Sequence, residues 1–425
     1  MVNSLLHSTA VLSLKLSGYH LSCAVAVVLT YVTLVRGFSL STITISPTIR
    51  AVSSVALYVS NSDSESSVFD GNSLLIFGNG NVANAVMTEL ENMSIAPTSF
   101  KNIFCTYRSL SRDEVNNYQI ISENRITYIP FCESSKFVGL CSHILITIPP
   151  IVNNEGKTGN HYIDPILDCV GSNPCILDNI LSDAFIGYVS TTGVYGNHNN
   201  SWVEEKSPTL CKSDSKASAY LDIENRWGEA ARMGTRTAFI FRCAGLYGHN
   251  LSALHTVRKN GSCNLFLHRD DHVVKESEGT TSRVHLKDVG RAIVACMEKN
   301  KMASTINIVN LADSCPAKRS HVMQYACELL EESKAISPMS EKKIKRKHGK
   351  SSERRRRRNQ DRKRVMNERM KEILAVYGGL SCPSYKEGLK FVLEGNIKKW
   401  KIEDNNNNGD SDSDSDSDSD GNKSL

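Results

Sequence analysis

The stretch SLLIFGNGNVANAV, Ser73 to Val86, decides the fold. Its first five residues form a short, mostly apolar run of the kind that fills a buried strand. A Gly-Asn-Gly turn follows at Gly78, Asn79 and Gly80. Asn81, Val82 and Ala83 then open a segment in which Ala85, Val86 and Leu90 recur at helical spacing. A strand that passes through a glycine turn into a helix is the setting a GxGxxA dinucleotide-binding fingerprint requires. Gly78 permits the tight turn, and Gly80 lets backbone amides approach a pyrophosphate. The small Ala83 allows close helix–strand packing, and the helix N-terminus offers free N–H donors with a partial positive charge.

Working outward, further strand-like runs stand at Ile103–Tyr107, Ile126–Phe131, Ile144–Ile148 and Phe185–Ser190. Segments with helical potential separate several of them, Tyr162 to Cys169 included. This alternation predicts an α/β fold, a doubly wound parallel sheet with helices on both faces. The second strand ends in Tyr107-Arg108-Ser109, without the acidic residue that commonly holds a ribose 2′-hydroxyl. An arginine there suits the adenosine 2′-phosphate, which favours NADP and leaves NAD possible. The alternative is a solvated surface arginine.

Seven segments in order resemble the extended short-chain dehydrogenases, and within them the atypical, YeeZ-like branch of the NAD-dependent epimerase/dehydratase family. They are GNGNVA (Gly78–Ala83), TYRS (Thr106–Ser109), ITIPP (Ile146–Pro150), STTGVYG (Ser190–Gly196), RCAGLYG (Arg242–Gly248), RVHLKDV (Arg283–Val289) and PSYKEGL (Pro383–Leu389). The resemblance implies a Rossmann sheet with a smaller C-terminal lobe, spanning about 71–400, that closes over a small polar substrate such as a nucleotide sugar. It implies that Gly78, Asn79, Gly80, Asn81, Val82, Ala83, Arg108, Pro149 and Tyr195 hold the cofactor. His285 and Asp288 fall where the family supports the junction with the lobe. Thr191 matches the hydroxyl residue that orients the substrate.

The family's acid–base pair is a tyrosine followed four residues later by a lysine. Here Lys216 comes first and Tyr220 second. Positions i and i+4 share a helix face, but the exchange moves the phenol by one turn, roughly 5 Å. Lys216 and Tyr220 are therefore candidates for acid or base in an enzyme whose catalysis departs from the family's, or ordinary helix residues in a protein that senses NADP(H) without catalysis.

Both ends of the chain have other textures. Leu16 to Val35 carries no Lys, Arg, Asp or Glu, and from Phe38 the sequence is rich in Ser and Thr, with no acid before Asp63. A signal-like stretch (1–37) followed by a transit-like linker (38–70) resembles bipartite plastid presequences. A secretory signal or membrane anchor is the alternative. No transmembrane segment is expected in the mature chain, and the oligomeric state cannot be read from the sequence.

Lys342 to Arg364 holds 14 Lys or Arg against Glu353 and Asp361, and residues 401–425 form an acidic, Asp-Ser low-complexity tail. The basic run reads as a disordered insertion able to contact RNA or another polyanion. The 13 cysteines include no CxxC pair, which argues against a disulfide framework or a zinc site and for small buried side chains. No metal site is expected.

Overall fold

The structure, a computed structural model, describes residues 72–92, 100–108, 126–153, 161–168, 176–260, 279–298, 306–333 and 362–396. All belong to one compact unit, Phe69–Leu425. The presequence-like segments 1–37 and 38–70, residues 342–361 of the basic run and the acidic tail lie outside the described residues.

Seven strands form one parallel sheet: β1 (Ser73–Phe77), β2 (Asn102–Tyr107), β3 (Ile126–Pro130), β4 (His143–Ile146), β5 (Phe185–Thr191), β6 (Thr237–Cys243) and β7 (Ile306–Leu311). Their order is β3-β2-β1-β4-β5-β6-β7. The five strands read from sequence are all present, with ends shifted by one or two residues. The sheet is the doubly wound Rossmann arrangement. Its winding reverses between β1 and β4, where Leu75 pairs with Ile144 on one side and Phe104 on the other. In such sheets a crevice opens beyond the carboxyl ends of the strands at that reversal.

The described helices are α1 (Asn81–Asn92), α2 (Lys216–Arg232), α3 (Ala253–Asn260), α4 (Leu286–Glu298), α5 (Arg319–Glu332) and α6 (Glu368–Leu374), with a further helical stretch at 385–396 and a single turn at Ser135–Val138. None is long and apolar enough to cross a membrane. Alternate side chains of β1 serve opposite faces. Leu74 and Ile76 join Val82 and Val86 of α1 and Val289 and Ile293 of α4 in one core. Leu75 and Phe77 join Ile223 and Trp227 of α2 in the other. A third core, built from Leu254, Met323, Ala326, Leu389 and Val392 among others, belongs to the smaller C-terminal lobe.

Two expectations are corrected. Tyr162 to Cys169 is not a helix over its described part. His161–Ile163 is extended and pairs antiparallel with Ile151–Asn153, and a turn follows. Pro165 cannot donate in a helix ladder, and Asp164 Oδ1 takes the N–H groups of Ile166 and Leu167 instead. The basic run is not separate from the fold throughout. Arg364–Val365 pairs with Trp202–Val203, the Arg362 carbonyl accepts from the N–H groups of His198 and Asn200, and Lys363 Nζ donates to the Gly196 carbonyl. Backbone pairing and the Arg364–Trp202 stack, 5.5 Å from guanidinium to ring, hold these residues despite their charge.

Candidate active site

The glycine turn sits at the reversal point of the sheet. Gly78 has φ of +100°, and a Cβ there would come within 2.8 Å of Thr147 Oγ1, so glycine is required on both counts. Neighbouring strands fix the turn: Gly78 N–H donates to Thr106 Oγ1 at 2.9 Å, and Thr147 Oγ1 donates to the Phe77 carbonyl at 2.8 Å. Gly80 is different. Nothing lies within 4 Å of where its Cβ would be, and its φ is ordinary. Neither backbone strain nor internal packing accounts for glycine there. The open space lies at the start of α1, whose first amides have no partner within the helix. Asn79 is half-buried, Gly80 and Asn81 are exposed, and Val82 and Ala83 turn into the core. This arrangement fits a pyrophosphate laid over the turn.

Arg108 is exposed just past the end of β2 and makes no hydrogen bond or ion pair among the described residues. Pro149 is exposed just past β4, beside Ile148, whose side chain faces Gly78. Tyr195 is a correction. Its ring is fully buried and its hydroxyl donates to Asn310 Oδ1 at 2.8 Å, so it packs within the protein and has no surface for a cofactor. Burial raises its pKa.

Two strands from β1, the end of β5 presents Thr191. Its hydroxyl oxygen accepts the Gly193 N–H at 3.1 Å and caps the 3-10 turn Thr192–Tyr195, leaving its own proton free to donate. Gly193 faces Ala217 in the first turn of α2, the helix that Lys216 opens. Lys216, the first residue of α2, is exposed, and its Nζ lies 6.0 Å from the Tyr220 ring centroid. Tyr220 is drawn inward, packs on both cores and meets Tyr188 at 6.4 Å between ring centroids. Burial pushes its phenol up to about 12. Of the reversed pair, the lysine is exposed and the tyrosine half-buried.

Beneath Thr191 lies a buried polar network that sequence reasoning did not identify. Glu224 of α2 and Arg242 of β6 form an ion pair at 2.7 Å with both side chains 4% exposed. Ser190 Oγ donates to Glu224 at 2.5 Å, and Arg242 stacks on Tyr195 at 4.9 Å. The signal was an arginine in the otherwise apolar strand TAFIFRC and a glutamate four residues beyond Tyr220, on the same helix face. His285 and Asp288 sit where the lobe joins the sheet. Asp288 accepts the N–H groups of Ser381 and Cys382 at 2.7 and 2.8 Å and the Arg291 guanidinium at 3.2 Å. His285 Nδ1 accepts the Lys287 N–H.

Among the described residues, no group of three or more His, Cys, Asp or Glu is placed to hold a metal. No disulfide joins any two of the nine described cysteines, and six of them are buried.

No protein-family model and no curated protein matches the chain. Solved structures do. A functionally unknown conserved protein from Silicibacter pomeroyi superposes with a TM-score of 0.53 at 22% identity, over 76% of this chain and 98% of its own. The dTDP-glucose 4,6-dehydratase of Bacillus anthracis in complex with NAD gives 0.51 at 14%, over 78% and 99%. The UDP-glucuronic acid 4-epimerase of Bacillus cereus in complex with UDP-glucuronic acid and NAD gives 0.50 at 14%, over 77% and 99%. Sheet order, glycine turn, C-terminal lobe and these superpositions agree: the chain has a Rossmann fold.

Proposed function

We propose that this chain binds NADP(H) over the Gly78–Ala83 turn and is an NADP-dependent oxidoreductase or epimerase/dehydratase acting on a small polar substrate, with nucleotide sugars the first class to screen. The observation that carries the reading is Gly80, a glycine with no internal reason for lacking a side chain, beside the open N-terminus of α1. The epimerase and dehydratase of the same fold were solved with NAD. Bound there, the nicotinamide would supply a hydride donor or acceptor. The first amides of α1 would hold the pyrophosphate and Arg108 the 2′-phosphate.

Thr191 would donate its free hydroxyl proton to a substrate oxygen. Lys216, exposed at the start of α2, and Tyr220 one turn on would be the candidates for moving a proton at that oxygen. The Glu224–Arg242 pair would keep β5 and α2 in register beneath both groups. Titration of the purified protein with NADPH and NADH tests the cofactor assignment. The expected result is preference for NADPH, reduced about tenfold or more in Arg108→Ala, the size of a lost charge-assisted contact. Equal binding of both nucleotides would remove the NADP assignment, and no binding of either would remove the reading.

A second reading is a nucleotide sensor that contacts RNA or another polyanion through the basic run. The reversed order of Lys216 and Tyr220 favours it, because the phenol is displaced by one helical turn from the family's position. The plastid destination drawn from residues 1–70 belongs to this proposal and is tested by fusing them to a fluorescent protein.

A further inference from the structure

The lobe carries a cleft of about 500 Å³, a volume typical of small-molecule sites. It opens between the strand Gly245–Tyr247, helix α3, the pair Thr280–Thr281 and the start of α5. Two chemistries meet in it. Arg283, Arg319 and Arg362 are among its lining residues. Arg319 is exposed and makes no hydrogen bond or ion pair among the described residues. Arg283 is held in place by Nη1 donating to the carbonyls of Thr281 and Ala317, at 2.7 and 2.9 Å. The described lining includes no carboxylate, and Asp313, whose N–H donates to the Arg283 carbonyl, is buried.

Beside them the lining carries aliphatic side chains, Leu246, Leu251, Val322, Met323 and Leu389, with Tyr247 and Tyr385. Leu251 remains 45% exposed, an apolar side chain left uncovered at the opening. Recognition of sugar hydroxyls calls for side chains that both donate and accept, above all carboxylates and amides. The described lining carries Ser and Thr hydroxyls but no Asp, Glu, Asn or Gln.

We infer that this cleft binds an organic anion whose phosphate or carboxylate head lies on Arg283, Arg319 and Arg362 and whose aliphatic body lies along the Leu246–Leu389 wall. Guanidinium forks match either oxyanion through paired, charge-assisted hydrogen bonds. The wall adds affinity by removing both its own surface and the ligand's from water. The inference rests on the lobe being the substrate-holding half, and it narrows the substrate class of that half.

Calorimetric titration of the purified full chain with decyl phosphate, decanoate, inorganic phosphate and UDP-glucose, with and without NADPH, tests it. Decyl phosphate or decanoate should bind at one site, tenfold or more weaker in Arg319→Glu and measurably weaker in Leu251→Ser. Both positions are exposed, so neither change threatens the fold. Comparison of the two decyl compounds identifies the head group, and binding of either supports the inference. Inorganic phosphate binding as tightly as decyl phosphate would overturn it, because the wall would contribute nothing. UDP-glucose binding more tightly and displacing decyl phosphate would assign the cleft to a nucleotide sugar and also overturn it. Absence of binding by both decyl compounds, while NADPH still binds, removes this inference and leaves the proposed function standing.

Discussion

Two glycines two positions apart, Gly78 and Gly80, do different work, and substitution separates them. Gly78 combines a φ of +100° with a neighbour 2.8 Å from any added Cβ. Gly78→Ala should destabilise the fold by about 1–3 kcal/mol, read in urea unfolding. Gly80→Ala meets nothing within 4 Å, so its unfolding midpoint should match the wild type while NADPH affinity falls tenfold or more. A Gly80→Ala protein that binds NADPH normally would show that no ligand occupies that space.

Asp313 offers a second test. Burial raises its carboxyl to about 7, with Arg283 acting the other way, whereas in an unfolded chain it titrates at about 3.9. Between those values the folded protein keeps a proton the unfolded chain has released. Stability therefore falls as pH rises from about 4 to about 7 and levels off beyond. Asp313→Asn removes that contribution and should be more stable than wild type at pH 8, by an amount on the order of 2–4 kcal/mol, with little difference near pH 4. Parallel stability–pH curves for the two proteins would contradict this.

Helix α1 is pinned to the sheet from outside by α4. At Gly290 of α4, a Cβ would stand 2.5 Å from the Ala85 carbonyl oxygen of α1, so the two backbones touch. Gly290→Ala must push the helices apart, at a cost of about 1–3 kcal/mol. Because α1 carries the amides proposed to hold the pyrophosphate, NADPH affinity should fall together with the thermal midpoint. Unchanged affinity at a lowered midpoint would place the displacement elsewhere.

The same two helices show why some elements were legible in the sequence and others not. The β1–turn–α1 unit is local: strand run, glycines and helical spacing lie within twenty residues, and it was read correctly. So were β2 to β5, each a compact apolar run. The hairpin at Ile151–Asn153 and His161–Ile163 was missed because its pairing joins residues about ten apart, while the apolar spacing of Tyr162 to Leu167 imitates a helix. Arg362 to Arg364 were assigned to a disordered insertion because charge dominates their composition, and their anchoring depends on the distant Gly196–Val203 loop. Tyr195 was given to the cofactor from its motif alone, and only packing around Arg242 and Asn310 reveals that it is internal. The Glu224–Arg242 pair joins residues 18 apart on different elements, beyond the reach of periodicity.

Charge is distributed unevenly over the whole chain, and that asymmetry carries a prediction of its own. Of the 14 Lys and Arg between 342 and 364, Arg362, Lys363 and Arg364 are committed to the fold, while 11 precede them in a segment with only two acids. The fixed residues stand beside the lobe, so that segment enters the described structure at Arg362, on the lining of the arginine cleft. If it engages a polyanion, affinity must arise from counterion release and fall steeply with salt, with a slope near 0.7–0.9 per phosphate contact. Replacing those 11 residues with Ser and Gly, and leaving Arg362 to Arg364 intact, should abolish binding of a single-stranded RNA at 50 mM salt in a filter assay. NADPH affinity and unfolding midpoint should stay as in wild type, because the described anchoring contacts of Arg362 to Arg364 are kept. RNA binding that survives the replacement would move the polyanion site elsewhere, and a drop in NADPH affinity would mean that the basic segment and the nucleotide turn are coupled through the Gly196–Val203 loop to which its end is tied.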